Sequence, residues 1–312
     1  MTEQFQNVQF VTITEDNHLQ RLDNFLTLQL KGVPKGKIYK ILRKGEVRVN
    51  KKRAKPDYKL QIGDEVRIPP IRLETAPPEG QISKGFAQML SDAILYEDDR
   101  IIVINKPSGV AVHGGSGVKS GVIEGLRASR EAHQYLELVH RIDRDTSGCL
   151  LVAKKRSALR HLHEQLRNKQ MNKVYHALVK GNWPHNLRVV EAPLEKNTLQ
   201  GGERVVMVND NGKESKTKFT LLKTHEKMSL VEARPITGRT HQIRVHCLHA
   251  GYPIANDDKY GDKEFDKYVK SLGCNRLCLH AYQLTFIHPV SEEVMTFTAD
   301  YDDQLNNAVK SF

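Results

Sequence analysis

The stretch VHRIDRDTSGCLLVAKKRSA, residues 139–158, carries the strongest structural signal in the sequence. A short, continuous apolar run, CLLVAK, follows Gly148 and is typical of a buried strand. The Thr-Ser-Gly triplet before it indicates a turn. The residues after it predict a helix with Leu159, Leu162 and Leu166 on its inner face. The stretch therefore predicts a polar turn that presents charged side chains beside a core strand.

Two carboxylates and two arginines alternate in this polar turn. Asp143 lies between Arg141 and Arg144 in the sequence, and neighbouring positive charge keeps a carboxylate ionised. Such a group is a poor general acid at neutral pH and a persistent base or nucleophile. An acid/base pair of Asp143 with Asp145, two residues on, would need surroundings that push the two pKa values apart, so one working acid is expected rather than a pair. From spacing alone, a purely structural Arg-Asp turn remains an open alternative.

Other runs around this stretch predict further elements of the same domain. Strands are expected at residues 101–104, in MNKVYHALVKG (171–181) and in MSLVEARPITG (228–238). THQIRVHCLHAGYPI (240–254) predicts a helix capped by Thr240 and ended by Gly251. His241 and Arg244 are three residues apart on that helix and share a face. The glycines at 114, 115 and 117 predict a flexible loop beside a cleft.

The beginning of the chain predicts a small basic module. Helices are expected in RLDNFLTLQL (21–30) and from Pro34 to about Gly45, followed by short strands that end near Pro70. Residues 31–59 contain twelve Lys and Arg against two acids. A face of one sign is typical of a phosphate-backbone binder, and the scarcity of aromatics favours a structured RNA read by shape. A solvated basic surface is the alternative.

Length and composition bound these interpretations. A chain of 312 residues suggests two domains, and the loss of periodicity after residue 70 places the boundary. We expect a first domain at 1–75, a linker at 76–90 and a second domain at 91–312. The net charge of +11 and the pI of about 9.4 favour a polyanionic partner. The N-terminal residues lack the pattern of a secretory signal, and no apolar run approaches the ~20 residues of a membrane span.

The four cysteines show neither a paired CxxC spacing nor the density of a disulfide scaffold, which favours a reduced cytoplasm. Cys274 and Cys278 with His280 are imaginable metal ligands, but the pattern is weak. We expect no metal site.

Several motifs resemble those of the pseudouridine synthases that modify large-subunit ribosomal RNA. HRIDRDTSG (140–148) is similar to the family's aspartate motif, NKVYHALV (172–179) to its tyrosine motif and GRTHQIRVH (238–246) to its later basic motif. NKPSG (105–109) and LHAYQLTFIHP (279–289) also match. The basic module resembles the small RNA-binding domain named after ribosomal protein S-four. AVHGGSG, LVHRIDRDTSG and NDDKYGD together point to one subgroup of the family.

The resemblance implies a role for four residues. Asp143 would be the catalytic aspartate, and Arg244 would pair with its carboxylate. Arg141 would fill the space that a flipped-out uridine leaves in the RNA, and Tyr175 would stack on the flipped base. Extruding a base costs a few kcal/mol, which an arginine and an aromatic can offset. One departure, Asn256 where many relatives outside the subgroup carry glycine, makes the local turn less certain.

The resemblance also implies the fold and the partners. The fold would be α+β, with an S-four-like RNA-binding domain and a pseudouridine synthase catalytic domain whose mixed, largely antiparallel sheet is split by a basic cleft. The reaction exchanges a carbon-nitrogen for a carbon-carbon bond in one nucleoside without net redox change, so no cofactor is expected. The expected partner is 23S ribosomal RNA, with no membrane, and the chain would be a cytoplasmic monomer. A non-catalytic RNA-binding or ribosome-assembly protein is the alternative, and the modified uridines and the chemical route of Asp143 stay open.

Overall fold

The structure is a computed structural model that describes residues 7–30, 33–71, 82–114, 120–130, 135–198 and 204–312. Lys31, the glycines at 115 and 117 and residues 76–81 of the expected linker lie outside these ranges. The chain divides into two compact units. One comprises residues 1–81 with the short segment 155–157, and the other comprises residues 82–154 and 158–312.

The first unit packs two helices on a small antiparallel sheet. Its elements in chain order are β1 (Gln9–Thr12), a 3₁₀ turn (Glu15–Asn17), α1 (Leu22–Gln29), α2 (Lys35–Lys44), β2 (Arg48–Val49) and β3 (Glu65–Ile68). Strand β3 lies between β1 and β2. Helix α2 follows Pro34 and ends at Gly45, whose φ of 70° favours glycine. Ile38, Ile41 and Leu42 are buried on one face, as the helical spacing predicts.

The positive charge of this unit lies on its surface. All of the described cations between residues 33 and 59 are exposed: Lys35, Lys37, Lys40, Arg43, Lys44, Arg48, Lys51, Lys52, Arg53, Lys55 and Lys59. Beneath them lies a separate apolar core that includes Phe25, Leu26, Leu60 and Val66. The apolar residues therefore form the core of this unit, and the cations lie at the surface, where a partner can reach them. We call the eleven exposed cations the basic surface.

The second unit contains most of the strands. Its elements in chain order are α3 (Lys84–Asp92), β4 (Ile94–Glu97), β5 (Ile101–Lys106), α4 (Val122–Ala128), β6 (Glu137–Leu138), β7 (Ser147–Ala153), α5 (Arg156–Arg167), β8 (Asn172–Lys180), β9 (Val189–Glu191), β10 (Leu194–Thr198), β11 (Arg204–Val208), β12 (Lys216–His225), β13 (Met228–Pro235), α6 (Gln242–His249), α7 (Lys263–Ser271), β14 (Leu279–Ile287), β15 (Val294–Thr298) and α8 (Asp303–Val309). The first two residues of α5 fall in the short segment 155–157, which is counted with the first unit; the second unit is α+β, as expected.

Ten of these strands form one mixed sheet. Its main order is β4-β5-β7-β14-β8-β13-β12-β9, with β15 on β14 and β6 on β7, while β10 and β11 form a separate hairpin. In the described part of the sheet, the pair β7 and β14 is the one parallel pairing. Every residue of β7 is buried, as the run CLLVAK predicts. Gly148 allows the close approach to β14, because a Cβ there would lie 2.3 Å from the Ala281 carbonyl oxygen.

Two local expectations need correction. The segment expected to be a linker is helical from Lys84, because Ser83 caps α3 by accepting a hydrogen bond from the Phe86 amide and because Ala87 and Leu90 are buried. This helix belongs to the second unit. The helix expected from Thr240 begins instead at Gln242, with His241 as its N-cap. In the described ranges, no helix is long and apolar enough to cross a bilayer.

Candidate active site

A cleft of about 1050 Å³ opens in the second unit. Its walls come from the polar turn that precedes β7, from β8, from the end of β13 and from the start of α6. The four residues singled out in the sequence, Arg141, Asp143, Tyr175 and Arg244, all line it. Asp143 is the one acid among the described lining residues, which include eight cations: Arg141, Arg144, Lys169, Lys173, Lys218, Arg234, Arg239 and Arg244. The cleft therefore presents one carboxylate among many cations.

The carboxylate of Asp143 is held by a residue far away in the sequence. Arg244 Nη1 donates to Asp143 Oδ2 at 3.0 Å. The neighbouring Arg144 does not provide this contact, because its guanidinium pairs with Asp145 at 2.9 Å, and Arg141 is exposed. The contact with Arg244 is the pairing that the family resemblance implies. The Asp143 side chain is 29% exposed, so it is accessible from the cleft.

Arg244 is itself fixed by a second carboxylate, which sequence reasoning missed. Its Nε and Nη2 donate to Asp257 Oδ2 and Oδ1, each at 2.7 Å. The Asp257 side chain is fully buried, and the backbone amides of Lys259 and Tyr260 also donate to it at 3.1 Å. A bidentate ion pair of this kind fixes both the position and the plane of a guanidinium. The third arm of Arg244 therefore reaches Asp143 in a set direction.

The electrostatics of Arg244 follow from these contacts. Burial opposes the positive charge of its guanidinium, but hydrogen bonding and attraction to Asp257, and then attraction to Asp143, outweigh the burial, so the pKa of Arg244 is raised. Arg244 is thus a permanent cation next to Asp143. A charge pair of this kind is stronger in a cleft wall than in bulk water because the surroundings are less polarisable.

A tight turn supports Asp257. Asn256 has a φ of 55°, a region that glycine and asparagine favour, and its side-chain amide donates to the Cys274 and Arg276 carbonyls at 3.0 and 3.2 Å. Asparagine therefore suits the left-handed backbone of this turn. In the sequence, Asp257 was noted only as part of the motif NDDKYGD, and no role was inferred for it.

Lys106, in the motif NKPSG, donates hydrogen bonds to backbone carbonyls in and near the polar turn. Its side chain is fully buried, and its Nζ donates to the carbonyls of Pro107, Val110 and Arg144 at 2.7–2.8 Å. Burial lowers the pKa of Lys106 to about 7, against the attraction of Asp145 and Asp143. The contact with the Arg144 carbonyl connects the end of β5 to the turn that carries Asp143, and the other two fix the segment that follows β5. The position of Asp143 therefore depends on β5 as well as on the turn itself.

Tyr175 lies on β8 with its ring packed against two of the apolar clusters of the second unit. Burial raises the pKa of its hydroxyl, and the charge of Asp143 raises it further. Tyr175 is therefore a neutral aromatic at physiological pH. It offers the cleft an apolar surface beside an anion.

The residues considered as metal ligands have other partners. His280 lies between Ser147 Oγ, 2.7 Å from its Nδ1, and the Ala299 carbonyl, 2.9 Å from its Nε2. Cys274 and Cys278 are buried, with their sulfur atoms 3.3 Å apart. Across the described ranges, no group of three or more His, Cys, Asp or Glu side chains is placed to hold an ion.

Comparison with known proteins gives the class to which this architecture belongs. The sequence pattern of the family described as RNA pseudouridylate synthase matches residues 100–249, and that of the S4 domain matches residues 20–66. A protein of Escherichia coli named ribosomal large subunit pseudouridine synthase C is 58% identical over 308 residues, 97% of this chain and 96% of that protein. Its namesake from Haemophilus influenzae is 57% identical, covering 96% of this chain and 93% of that one. A solved structure of human RNA pseudouridylate synthase domain containing 4 shares the fold, with a TM-score of 0.59 at 24% identity over 72% of this chain and 95% of that one.

The chain therefore belongs to the RNA pseudouridylate synthase family, and its first unit contains an S4 domain. It is an isomerase that converts uridine in RNA to pseudouridine. The relatives also bear out the subgroup to which the three sequence motifs pointed.

Proposed function

We propose that this chain isomerises specific uridines of large-subunit ribosomal RNA to pseudouridine. The observation that carries the proposal is that one cleft holds Asp143, Tyr175 and Arg244 in a chain whose nearly full-length relatives are named for this activity. The relatives' names refer to the large ribosomal subunit, and the basic surface fits a structured polyanion. A substrate of this kind would place the enzyme in the cytoplasm.

The four lining residues suit the steps of a base-flipping reaction. A uridine inside a folded RNA has to leave its stack before a carboxylate can reach it. Tyr175 offers the flipped base a neutral ring to stack on, and the exposed Arg141 can occupy the vacated space in the RNA. Asp143, accessible from the cleft, acts on the nucleoside as nucleophile or base. Arg244 orients it and balances its charge.

The chemistry within the nucleoside is a rearrangement. The bond between the ribose anomeric carbon and uracil nitrogen one breaks, and a bond from the same ribose carbon to uracil carbon five forms. The hydrogen on carbon five leaves as a proton, and nitrogen one, freed from the ribose, takes up a proton from the solvent, so the nucleoside keeps its composition. A fixed cation next to Asp143 orients the carboxylate before the reaction begins, so that no reorganisation is needed at that moment.

A non-catalytic RNA-binding role is not favoured. Asp143 is the one acid among the described residues that line a cationic cleft, and the arginine that contacts it is fixed in a buried ion pair. A protein that only binds RNA has no need for such a carboxylate. That arrangement weakens attraction to phosphates and is costly to fold, because a buried ion pair carries a large desolvation penalty.

The activity can be tested with RNA transcripts that carry tritium on carbon five of uridine. We expect the protein to release tritium to water from large-subunit transcripts and to release none from small-subunit transcripts of the same length. Mapping pseudouridine in the treated RNA then identifies the modified positions. A protein that binds large-subunit transcripts without releasing tritium from any of them would refute the proposal.

We also propose that the first domain, residues 1–75, contributes RNA affinity through the basic surface. Replacement of Lys40, Arg43 and Lys44 on α2 by glutamine should weaken RNA binding and make it less dependent on salt. Each cation that no longer neutralises a phosphate lowers the slope of log K against log salt by about 0.7–0.9, so the slope should fall by roughly 2–3 if all three bind phosphates. Filter binding or fluorescence anisotropy at several salt concentrations measures this.

A matched control removes the same charge elsewhere. Lys263, Lys267 and Lys270 are exposed on α7, and their replacement by glutamine lowers the net charge by the same three units. This variant should keep the wild-type slope. Equal effects of the two triple variants would mean that only net charge matters and that the basic surface is not a docking face.

A further inference from the structure

His241 has an unusual backbone conformation at the mouth of the cleft. It is the N-cap of α6, with a φ of 53° and a ψ of 18°, and its side chain is 16% exposed. A residue with a side chain adopts this left-handed region only when its surroundings hold it there, and such positions concentrate at functional sites. The contact that holds the ring is with Tyr260, whose hydroxyl oxygen lies 2.8 Å from His241 Nδ1.

The hydrogen bonds of Tyr260 favour a proton on Nε2 of His241 over one on Nδ1. The Val206 amide donates to the Tyr260 hydroxyl oxygen at 2.8 Å. The single hydroxyl proton is therefore free to point at His241 Nδ1, which accepts it. In a neutral imidazole the proton then resides on Nε2. The opposite tautomer would turn an unprotonated Nε2 towards the carboxylate of Asp143, with two acceptors facing each other.

The ring is neutral at physiological pH. Burial lowers the pKa of His241, Arg244 and Lys259 lower it further, and the attraction of Asp143 and Asp257 does not make up the difference. The group that faces the cleft is thus a neutral N–H donor. It requires no change of protonation to act.

The Nε2–H group of His241 faces one particular oxygen of the Asp143 carboxylate. Nε2 lies 3.9 Å from Asp143 Oδ2, the oxygen that already accepts from Arg244 Nη1 at 3.0 Å. In the described part of the chain, Asp143 Oδ1 accepts no hydrogen bond from the protein. The two oxygens of Asp143 are therefore not equivalent.

We propose that His241 is a positioning residue for Asp143. When RNA occupies the cleft, His241 Nε2 donates a hydrogen bond to Asp143 Oδ2, and Oδ1 is left as the oxygen that reacts. The proposal rests on the proposed function, because it assigns geometry to the same carboxylate. At 3.9 Å the contact is too long for a hydrogen bond, but a shift of about 1 Å brings it into range, and catalytic hydrogen bonds are often long in the free enzyme. Two donors on one oxygen fix the carboxylate plane, which Arg244 alone leaves free to rotate.

Two substitutions separate this role from a structural one. His241→Asn suits the left-handed backbone but removes the donor at the position of Nε2, whereas His241→Gln places an amide N–H near that position. For His241→Asn we expect the kcat of tritium release to fall roughly 10–100-fold, as for other groups that orient a reacting ligand, with KM unchanged. His241→Gln should recover part of the kcat.

Three outcomes would overturn the assignment. A wild-type kcat in His241→Asn would show that the donor is not used. A raised KM with unchanged kcat would make His241 an RNA contact instead. A loss of kcat that His241→Gln shares fully, with equally lowered melting temperatures, would make it a structural residue.

Nuclear magnetic resonance of the full chain with ¹⁵N-labelled histidine tests the tautomer without any assay of activity. The wild type should show a neutral ring with the proton on Nε2, in a signal that His241→Asn removes. A proton on Nδ1, or a doubly protonated ring at neutral pH, would contradict the assignment. If the wild type shows the expected tautomer but releases no tritium from RNA, the proposed function fails instead, so the two failures are distinguishable.

Discussion

Asp143→Asn is expected to abolish tritium release from large-subunit transcripts while RNA binding persists. The carboxamide has nearly the same shape as the carboxylate, but it is neutral and is neither a useful base nor a nucleophile. Loss of the reacting group of an enzyme lowers kcat by about 10³-fold or more. Binding should persist or tighten slightly, because Asp143 is the one acid among the described lining residues and its neutralisation favours phosphates. Tritium release and equilibrium binding measured on the same transcript give both quantities.

Asp145→Asn provides the matched control two residues along the same turn. Asp145 pairs with Arg144 at the surface, where the two side chains are 38% and 57% exposed. Exposed ion pairs contribute about 0–1 kcal/mol, so this variant should fold and react almost like the wild type. Retention of more than about a tenth of the wild-type kcat in Asp143→Asn would exclude Asp143 as the reacting group. Equal loss in both variants would point to the conformation of the turn rather than to a particular carboxylate.

The sequence predicted the elements whose signals are local. Pro34 and Gly45 mark the ends of a helix by their backbone preferences, and the run after Gly148 marks a buried strand by its composition. Neither prediction depends on what the rest of the chain does. The same holds for the basic surface, since charge that is clustered in the sequence on short helices and turns stays clustered in the fold.

What the sequence alone could not predict depends on contacts between distant segments. The charge pattern of residues 141–145 shows only that Arg141 and Arg144 are neighbours of Asp143 in the sequence, whereas the structure brings Arg244 to its carboxylate from 101 positions further along the chain. Only the family resemblance named Arg244. Asp257 went unnoticed because a buried carboxylate has no periodicity and acquires its role only when α6 packs beside the turn that carries it.

Arg244→Met is expected to lower both stability and activity. The substitution leaves the Asp257 carboxylate fully buried without its countercharge, and among the described residues its remaining donors are the amides of Lys259 and Tyr260. Removing one partner of a buried ion pair costs about 3–5 kcal/mol of unfolding free energy. Chemical denaturation measures this loss, and Arg144→Met, which removes an exposed cation, is the control, with an expected loss of about 0–1 kcal/mol.

The double variant Arg244→Met with Asp257→Asn separates the two roles of Arg244. Asparagine keeps an oxygen for the two backbone amides but carries no charge, so most of the lost stability should return, to within about 1–2 kcal/mol of the wild type. Activity should remain low, because Asp143 still lacks the cation that orients it and balances its charge. If tritium release returned together with stability, Arg244 would be a scaffold residue, and the orientation of Asp143 would have to come from other contacts of the polar turn. If neither returned, the cost of the single substitution would come from poorer packing around the arginine stem and not from an unpaired buried charge.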